Sequence, residues 1–189
     1  MKLVMIRGCS GSGKTTLMKS FIKRHDMKLR SVENIAFMQS GPQIVLGDYT
    51  KAGCVGCDRY RDVDDIKRHL AFLRDAFAPE VMLFEHMLLS TTYKYSCDLI
   101  RMFGKRSFGC IFLDLPFNQI VKNIRSRNEG KPFSTDKVYA NYVRARNSLL
   151  KLQYGGVYVL RVNPFDYAQS ELSSIVDGFI ENWPISLEV

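Results

Sequence analysis

The chain has 189 residues, 46% of them apolar and 24% charged, which suits one globular domain with a real core and excludes a disordered or fibrous protein. Its 27 lysines and arginines outnumber 19 acidic residues, and the net charge of +8 favours a polyanionic partner such as nucleic acid over a merely basic surface. No apolar run approaches the roughly 18 residues of a membrane span, and the five cysteines, an odd number with no export signal ahead of them, read as reduced thiols of a cytoplasmic protein.

Leu3-Val4-Met5-Ile6 reads as a buried strand. It runs into Gly8-Cys9-Ser10-Gly11-Ser12-Gly13-Lys14-Thr15, the G-x-x-x-x-G-K-T spacing of a P-loop, and then into a helix whose apolar face is Leu17, Met18, Phe21 and Ile22. The glycines let the backbone wrap a polyphosphate, so that its N–H groups converge with the positive end of the helix. Lys14 can reach the β- and γ-phosphates, and Thr15 can offer its hydroxyl to Mg²⁺. A chance glycine turn would lack the strand before and the helix after. Gly8 to Thr16 are therefore expected to hold ATP with Mg²⁺. His25, among Lys23 and Arg24, reads as a solvated surface histidine.

Two short apolar runs, Ile35-Ala36-Phe37-Met38 and Gln43-Ile44-Val45-Leu46, flank a Ser40-Gly41-Pro42 turn and suggest strands. The second ends in Gly47-Asp48-Tyr49. Ligands of open α/β sheets lie outside the carboxyl ends of the strands, so Asp48 is expected near the P-loop, where it could take a proton from an attacking hydroxyl; a solvated turn aspartate is the other reading. Residues 48–62 then form a glycine-rich, basic stretch with the composition of a substrate loop, in which Tyr49, Lys51, Asp58, Arg59 and Tyr60 are the candidate contacts. Cys54 and Cys57 make one C-x-x-C, but zinc needs a second pair of ligands and only His69 is close, so a metal or redox site is the weaker reading.

Val63–Phe77 carries Ile66, Leu70, Leu73 and Phe77 at helical spacing. Val81-Met82-Leu83-Phe84 is a buried-type strand closed by Glu85-His86; Glu85 stands where an acidic residue helps hold Mg²⁺ or its water shell, and His86 reads as packed rather than catalytic. Thr91–Met102 reads as a helix with Gly104 past its end, and Phe108–Leu113 as a third strong strand. Asn118–Arg127 is helical in pattern and belongs to a lid over roughly 117–135, where Arg127, with Arg125 in support, would neutralise charge on a transferring phosphoryl group; a solvated basic turn is the alternative. Ser134 or Thr135 caps a long helix with a stripe of Val138, Tyr142, Ala145, Leu149 and Leu152 and a basic opposite side. A strand at Val157–Leu160 and a helix over Gln169–Glu181 close a single domain, 1–189. The alternation predicts a three-layer α/β fold, a mainly parallel sheet of about five strands with helices on both faces.

With these pieces placed, the chain resembles the P-loop kinases of the nucleotide-kinase type, most of all the polynucleotide kinase-like branch. Gly47-Asp48-Tyr49-Thr50 is similar to the D-Y-R context of that branch's general base, with Thr50 where its arginine would stand. Asp114-Leu115-Pro116-Phe117, followed by Val121-Lys122 and Arg127, is similar in order and spacing to its D-V-P-W strand end, helix and lid arginines. The similarity touches most of the chain, with the P-loop its one specific motif. The loop Lys51–Arg61 departs from the end-repair kinases and looks more like phage relatives that phosphorylate 5-hydroxymethyluracil within DNA, a step that prepares thymine hypermodification. The resemblance implies transfer of the γ-phosphoryl group of ATP to a primary hydroxyl on nucleic acid, DNA rather than RNA, in the host cytoplasm. It makes Lys14, Asp48, Arg127 and Arg125 the catalytic candidates and Thr15 and Glu85 the metal candidates. A polynucleotide 5′-hydroxyl kinase, or a kinase of free nucleosides or nucleoside monophosphates, would use the same ATP half. A nucleotide-dependent switch would need neither Asp48 nor the arginines. A base within DNA must be extruded or single-stranded to react, and Tyr49, Tyr60, Phe117 and Tyr93 are candidates to stack on it, or else core.

Overall fold

Three apolar runs too short for helices form the centre of a seven-stranded sheet. They are β1 (Lys2–Arg7), β5 (Val81–Glu85) and β6 (Phe108–Leu113), and β1 lies between the other two, parallel to both. Their near-continuous burial, in place of an apolar–polar alternation, marks strands covered on both faces. The structure, a computed structural model, describes residues 1–51, 56–60, 62–129, 131–168 and 170–184, and of Asp58 and Arg59 the backbone alone. Among the described residues no helix is long and apolar enough to cross a membrane.

The helices are α1 (Lys14–Arg24), α2 (Val63–Phe77), α3 (Met87–Thr91), α4 (Tyr93–Phe103), α5 (Phe117–Arg127), α6 (Thr135–Tyr154) and α7 (Leu172–Glu181). Alternate residues of β1 feed opposite layers, as strand geometry demands. Val4 and Ile6 join Leu17 and Phe21 of α1, Ile120 of α5 and Val176 of α7. Leu3 and Met5 join Leu70 of α2, Leu99 of α4 and Leu149 of α6.

The sheet exceeds the five strands expected. Its order is β2-β3-β4-β5-β1-β6-β7, with β2 (Lys28–Val32), β3 (Ile35–Ser40), β4 (Gln43–Leu46) and β7 (Tyr158–Val162). The β2–β3 and β3–β4 pairs are antiparallel and the rest parallel. The added strand, β2, is exposed at every position, so no apolar run announces it. It is held by a two-residue hairpin whose central residues, Glu33 and Asn34, both have positive φ (49° and 66°), matching the right-handed twist of the strands. The helix expected over Thr91–Met102 is α4, and the extended Thr92 separates it from the short α3, which the sequence did not announce. Residues 117–127 of the expected lid form α5, fixed to the core by Ile120 and Ile124. Helix α7 begins at Leu172, three residues later than expected.

Candidate active site

The P-loop leaves β1 and winds into α1 with Gly8, Gly11 and Gly13 at φ of +144°, +80° and +93°. Two of these glycines are also sterically required. A Cβ at Gly8 would lie 2.4 Å from Ser12 Oγ, and one at Gly11 would lie 2.8 Å from Ile124 Cγ1. The loop is thus pressed against α5, and the amide of Asn123 donates to Gly11 O at 2.9 Å. Lys14 is 6% exposed and arcs back over the loop, its Nζ donating to the carbonyls of Gly8 and Cys9, both at 3.1 Å. Burial pushes the Cys9 thiol up to about 11, against a smaller opposing pull from Lys14, so this cysteine is a packing group at neutral pH.

A cleft of about 480 Å³ opens above the loop, with Ser10, Lys14, Thr15, Met87, Asn123 and Arg127 in its lining. Arg127 leans across it and donates to Ser10 Oγ at 3.3 Å. Arg125 does not share this space; it lines a different cleft with Lys131, Phe133 and Thr135. The two arginines are separated by ~200° around α5. A recess of about 210 Å³ adjoins the phosphate cleft through Gly13, Thr16 and Asn123, and its far wall is Leu17, Leu115, Pro164 and Phe165. No sequence motif marks Pro164 or Phe165, so this apolar wall was not foreseen.

The second half of the site follows β4, which neighbours β5. Asp48 is 6% exposed. Its Oδ1 accepts hydrogen bonds from Thr50 N at 2.9 Å and Thr50 Oγ1 at 2.6 Å, and Lys51 Nζ lies 3.5 Å from Oδ2. The Thr50 side-chain and backbone hydrogen bonds, and then the Lys51 charge, outweigh burial and hold the carboxyl below its ordinary range, as a carboxylate. Thr50 therefore acts on Asp48 itself.

The loop that begins at Asp48 is pinned at its neck by two glycines. A Cβ at Gly47 (φ +109°) would lie 2.5 Å from Gly56 Cα, and one at Gly56 (φ +70°) 2.4 Å from the Tyr49 hydroxyl. Gly56 N donates to Asp48 O at 3.2 Å, and Cys57 Sγ to Leu46 O at 3.5 Å. Tyr49 fills the space the glycines leave and donates to Glu85 Oε1 at 3.3 Å. Tyr49, a candidate stacking contact for substrate, is 5% exposed and packs at the neck of the loop against Glu85. Glu85, 1% exposed, ends β5 and is paired in register with Ile6, just before the P-loop.

The other aromatic candidates are packed too. Tyr60 lies edge-on to His69 at 4.8 Å, Phe117 meets Tyr139 at 5.1 Å, and Tyr93 packs beneath Lys151 Nζ at 5.8 Å. Lys51 is exposed on the loop. The side chains of Asp58 and Arg59, and Cys54 with its neighbours at 52–55, lie outside the described residues. Among the described residues no cluster of three His, Cys, Asp or Glu side chains could hold a metal. The hydroxyl of Thr15 and the carboxylate of Glu85 are hard oxygen donors of the kind Mg²⁺ takes alongside substrate phosphates and water.

One residue beside the site was missed. Arg7, the last residue of β1, is fully buried and donates to Ser96 Oγ at 2.6 Å, Ser90 O at 2.7 Å and Ser148 Oγ at 2.7 Å. Burial lowers its pKa, with a smaller opposing effect from Cys110, whose own thiol burial raises to about 11. It ties the root of the P-loop to α3, α4 and α6. Asp114, in the motif resembling D-V-P-W, pairs with Arg146 at 2.8 Å and with Arg161, clamping α6 and β7 to the end of β6.

Comparison with known proteins agrees with this geometry. A family model described as 5-hmdU DNA kinase matches residues 1–153. The chain is 30% identical to a 5-hmdU DNA kinase of Pseudomonas phage M6, over 73% of this chain and 78% of that protein. It is 25% identical to a 5-hmdU DNA kinase of Delftia phage PhiW-14, over 97% of this chain and 74% of that protein. Among solved structures, Bacillus subtilis YorR in complex with phosphorylated GDP has the same fold at 13% identity, with a TM-score of 0.59 over 95% of this chain and 96% of that one. A gluconokinase from Sinorhizobium meliloti 1021 follows at 13% identity and a TM-score of 0.52, over 95% of this chain and 91% of that one. By the extent of the family match and the phage relatives, the chain is a P-loop kinase and belongs to the 5-hmdU DNA kinase family.

Proposed function

We propose that this kinase transfers the γ-phosphoryl group of ATP to the 5-hydroxymethyl group of 5-hydroxymethyluracil within DNA. What carries this reading is the convergence of three strand ends: the P-loop follows β1, Glu85 ends the adjacent β5, and Asp48 stands two residues beyond β4, the next strand over. A donor held by the first would meet an acceptor presented to the last.

Phosphoryl transfer asks a protein mostly for positioning and for charge opposite the transferring oxygens. Lys14 exchanges its two loop carbonyls for phosphate oxygens, which are better acceptors for an ammonium. Arg127, above Ser10, meets the charge that spreads over the γ-phosphoryl oxygens. The apolar recess with Leu17, Leu115 and Phe165 takes the donor's base. Thr15 and Glu85 would hold Mg²⁺, which would neutralise phosphate charge there. Asp48 accepts a hydrogen bond from the acceptor hydroxyl. The oxygen–phosphorus bond to the acceptor forms, the bond to the β-phosphate oxygen breaks, ADP leaves, and the hydroxyl proton passes to Asp48 and on to solvent. A carboxylate of lowered pKa is a weak base, which suits a transition state in which the proton moves late.

The test is transfer from γ-labelled ATP to three acceptors: DNA containing 5-hydroxymethyluracil, ordinary DNA with 5′-hydroxyl ends, and a mixture of nucleoside monophosphates. Label on internal bases of the modified DNA is the expected result. Label on 5′ ends alone would make the protein an end kinase, and label on monophosphates alone would remove nucleic acid from the reaction.

A further inference from the structure

A groove of about 820 Å³ runs along α1 and is closed on its other side by Ser170 and Ser173. From α1 it takes Lys19, Lys23 and Arg24, together with the hydroxyls of Thr15, Thr16 and Ser20, and no carboxylate lines it. Arg24 is braced by Asp177 at 2.9 Å and by Ser174 Oγ at 3.1 Å, whereas Lys19 and Lys23 are exposed and have no ion pair among the described residues. Lys19 and Lys23 are one turn apart, about 6 Å along the axis, which is of the order of the step between successive phosphates of a strand.

A helix commonly gathers basic residues in its last turn, where they oppose the dipole. That accounts for Lys23 and Arg24, but not for Lys19 in the middle of α1, nor for a cleft walled by hydroxyls. The groove is also continuous with the reaction site, because Thr15 and Thr16 line both it and the phosphate cleft. The donor has its own apolar recess around Leu17, Phe165 and Leu172, which shares only Thr16 with the groove, so the groove is left for a second polyanion.

We propose that the groove on α1 is the track for the sugar–phosphate backbone of the acceptor DNA beside its reacting base, an inference that rests on the nucleic-acid acceptor argued above. Lys19 and Lys23 neutralise successive phosphates, and the hydroxyls of Ser20, Ser170 and Ser173 hydrogen-bond to them. Such contacts fix register and orientation and read no sequence.

The experiment measures binding of a single-stranded oligonucleotide carrying one 5-hydroxymethyluracil across a salt series, with turnover on the same oligonucleotide. The double variant Lys19→Ala/Lys23→Ala is expected to bind roughly tenfold more weakly at low salt, and the slope of log affinity against log salt should shrink by about 1.4. KM for ATP should be unchanged, and Lys19→Arg/Lys23→Arg should retain binding and slope. Unaltered affinity and slope in the alanine variant would overturn the track. So would a raised KM for ATP with the DNA slope intact, since the groove would then serve the donor. If the unaltered protein binds the oligonucleotide steeply in salt but phosphorylates nothing on it, the acceptor reading falls, and the slope difference between the two proteins still decides the groove.

Discussion

Two arginines two positions apart in one helix have different fates here. Arg127 reaches over the P-loop to Ser10, while Arg125 faces the Lys131–Phe133 cleft. Arg127→Ala should therefore cost about 10³-fold in turnover, whereas Arg125→Ala should stay within severalfold, as steady-state kinetics on modified DNA would show. Lys14→Ala removes the cation nearest the loop and should cost as much as Arg127→Ala or more. At Asp48 the expectation concerns pH. The Thr50 hydroxyl holds the Asp48 carboxyl down, so Thr50→Val should raise its pKa and move the acid limb of kcat/KM to higher pH, while Asp48→Asn should abolish that limb and most of the rate. The same lowered pKa makes Asp48 a source of folding stability. That contribution is present above the unfolded carboxyl value of about 3.9 and is lost as pH falls through the folded value. The sequence puts Arg127 first with Arg125 in support, but it could not show that the two face different clefts, because that depends on the rotation of α5 against the core, set by Ile120 and Ile124.

At the scale of elements, the neck of the loop after β4 depends on the absence of two side chains. Gly56→Ala adds a Cβ 2.4 Å from the Tyr49 hydroxyl, at a backbone φ of +70°. It should push Tyr49 off Glu85, destabilise the fold by about 1–3 kcal/mol, and lower turnover as well. Gly41→Ala is the matched control: its φ is +52° but nothing lies within 4 Å, so thermal unfolding should show the backbone strain alone and kinetics should be unaffected. The P-loop was legible because its requirements are local, a strand, three glycines and a helix start read in order. Asp48 was legible as the residue closing a strand. Tyr49 was not, because its role exists only once Gly56 returns to touch Gly47. Strand β2 was hidden by its own exposure: Lys28 and Arg30 look like loop residues and in fact occupy a charged sheet edge.

For the molecule as a whole, Arg7 is the joint between its layers. One guanidinium holds Ser90, Ser96 and Ser148, which belong to α3, α4 and α6, against the strand that carries the P-loop. Arg7→Met would leave these groups buried with their partner gone and should destabilise the protein by about 3 kcal/mol or more in urea unfolding. A charge at the end of an apolar run reads in sequence as the place where the interior stops, and here the interior continues around it.

The ladder at the centre of the sheet also fixes the order of events when the chain is made. Ile6 pairs with Glu85 on one side and Ile111 on the other, so the strand that launches the P-loop finds its two neighbours only 79 and 105 residues further along the chain. Contacts of such separation form late and slowly. Until β5 and β6 emerge, the apolar strand β1 is an unpaired segment in need of protection, and the nucleotide cradle that follows it takes shape only once chain far beyond it has been made.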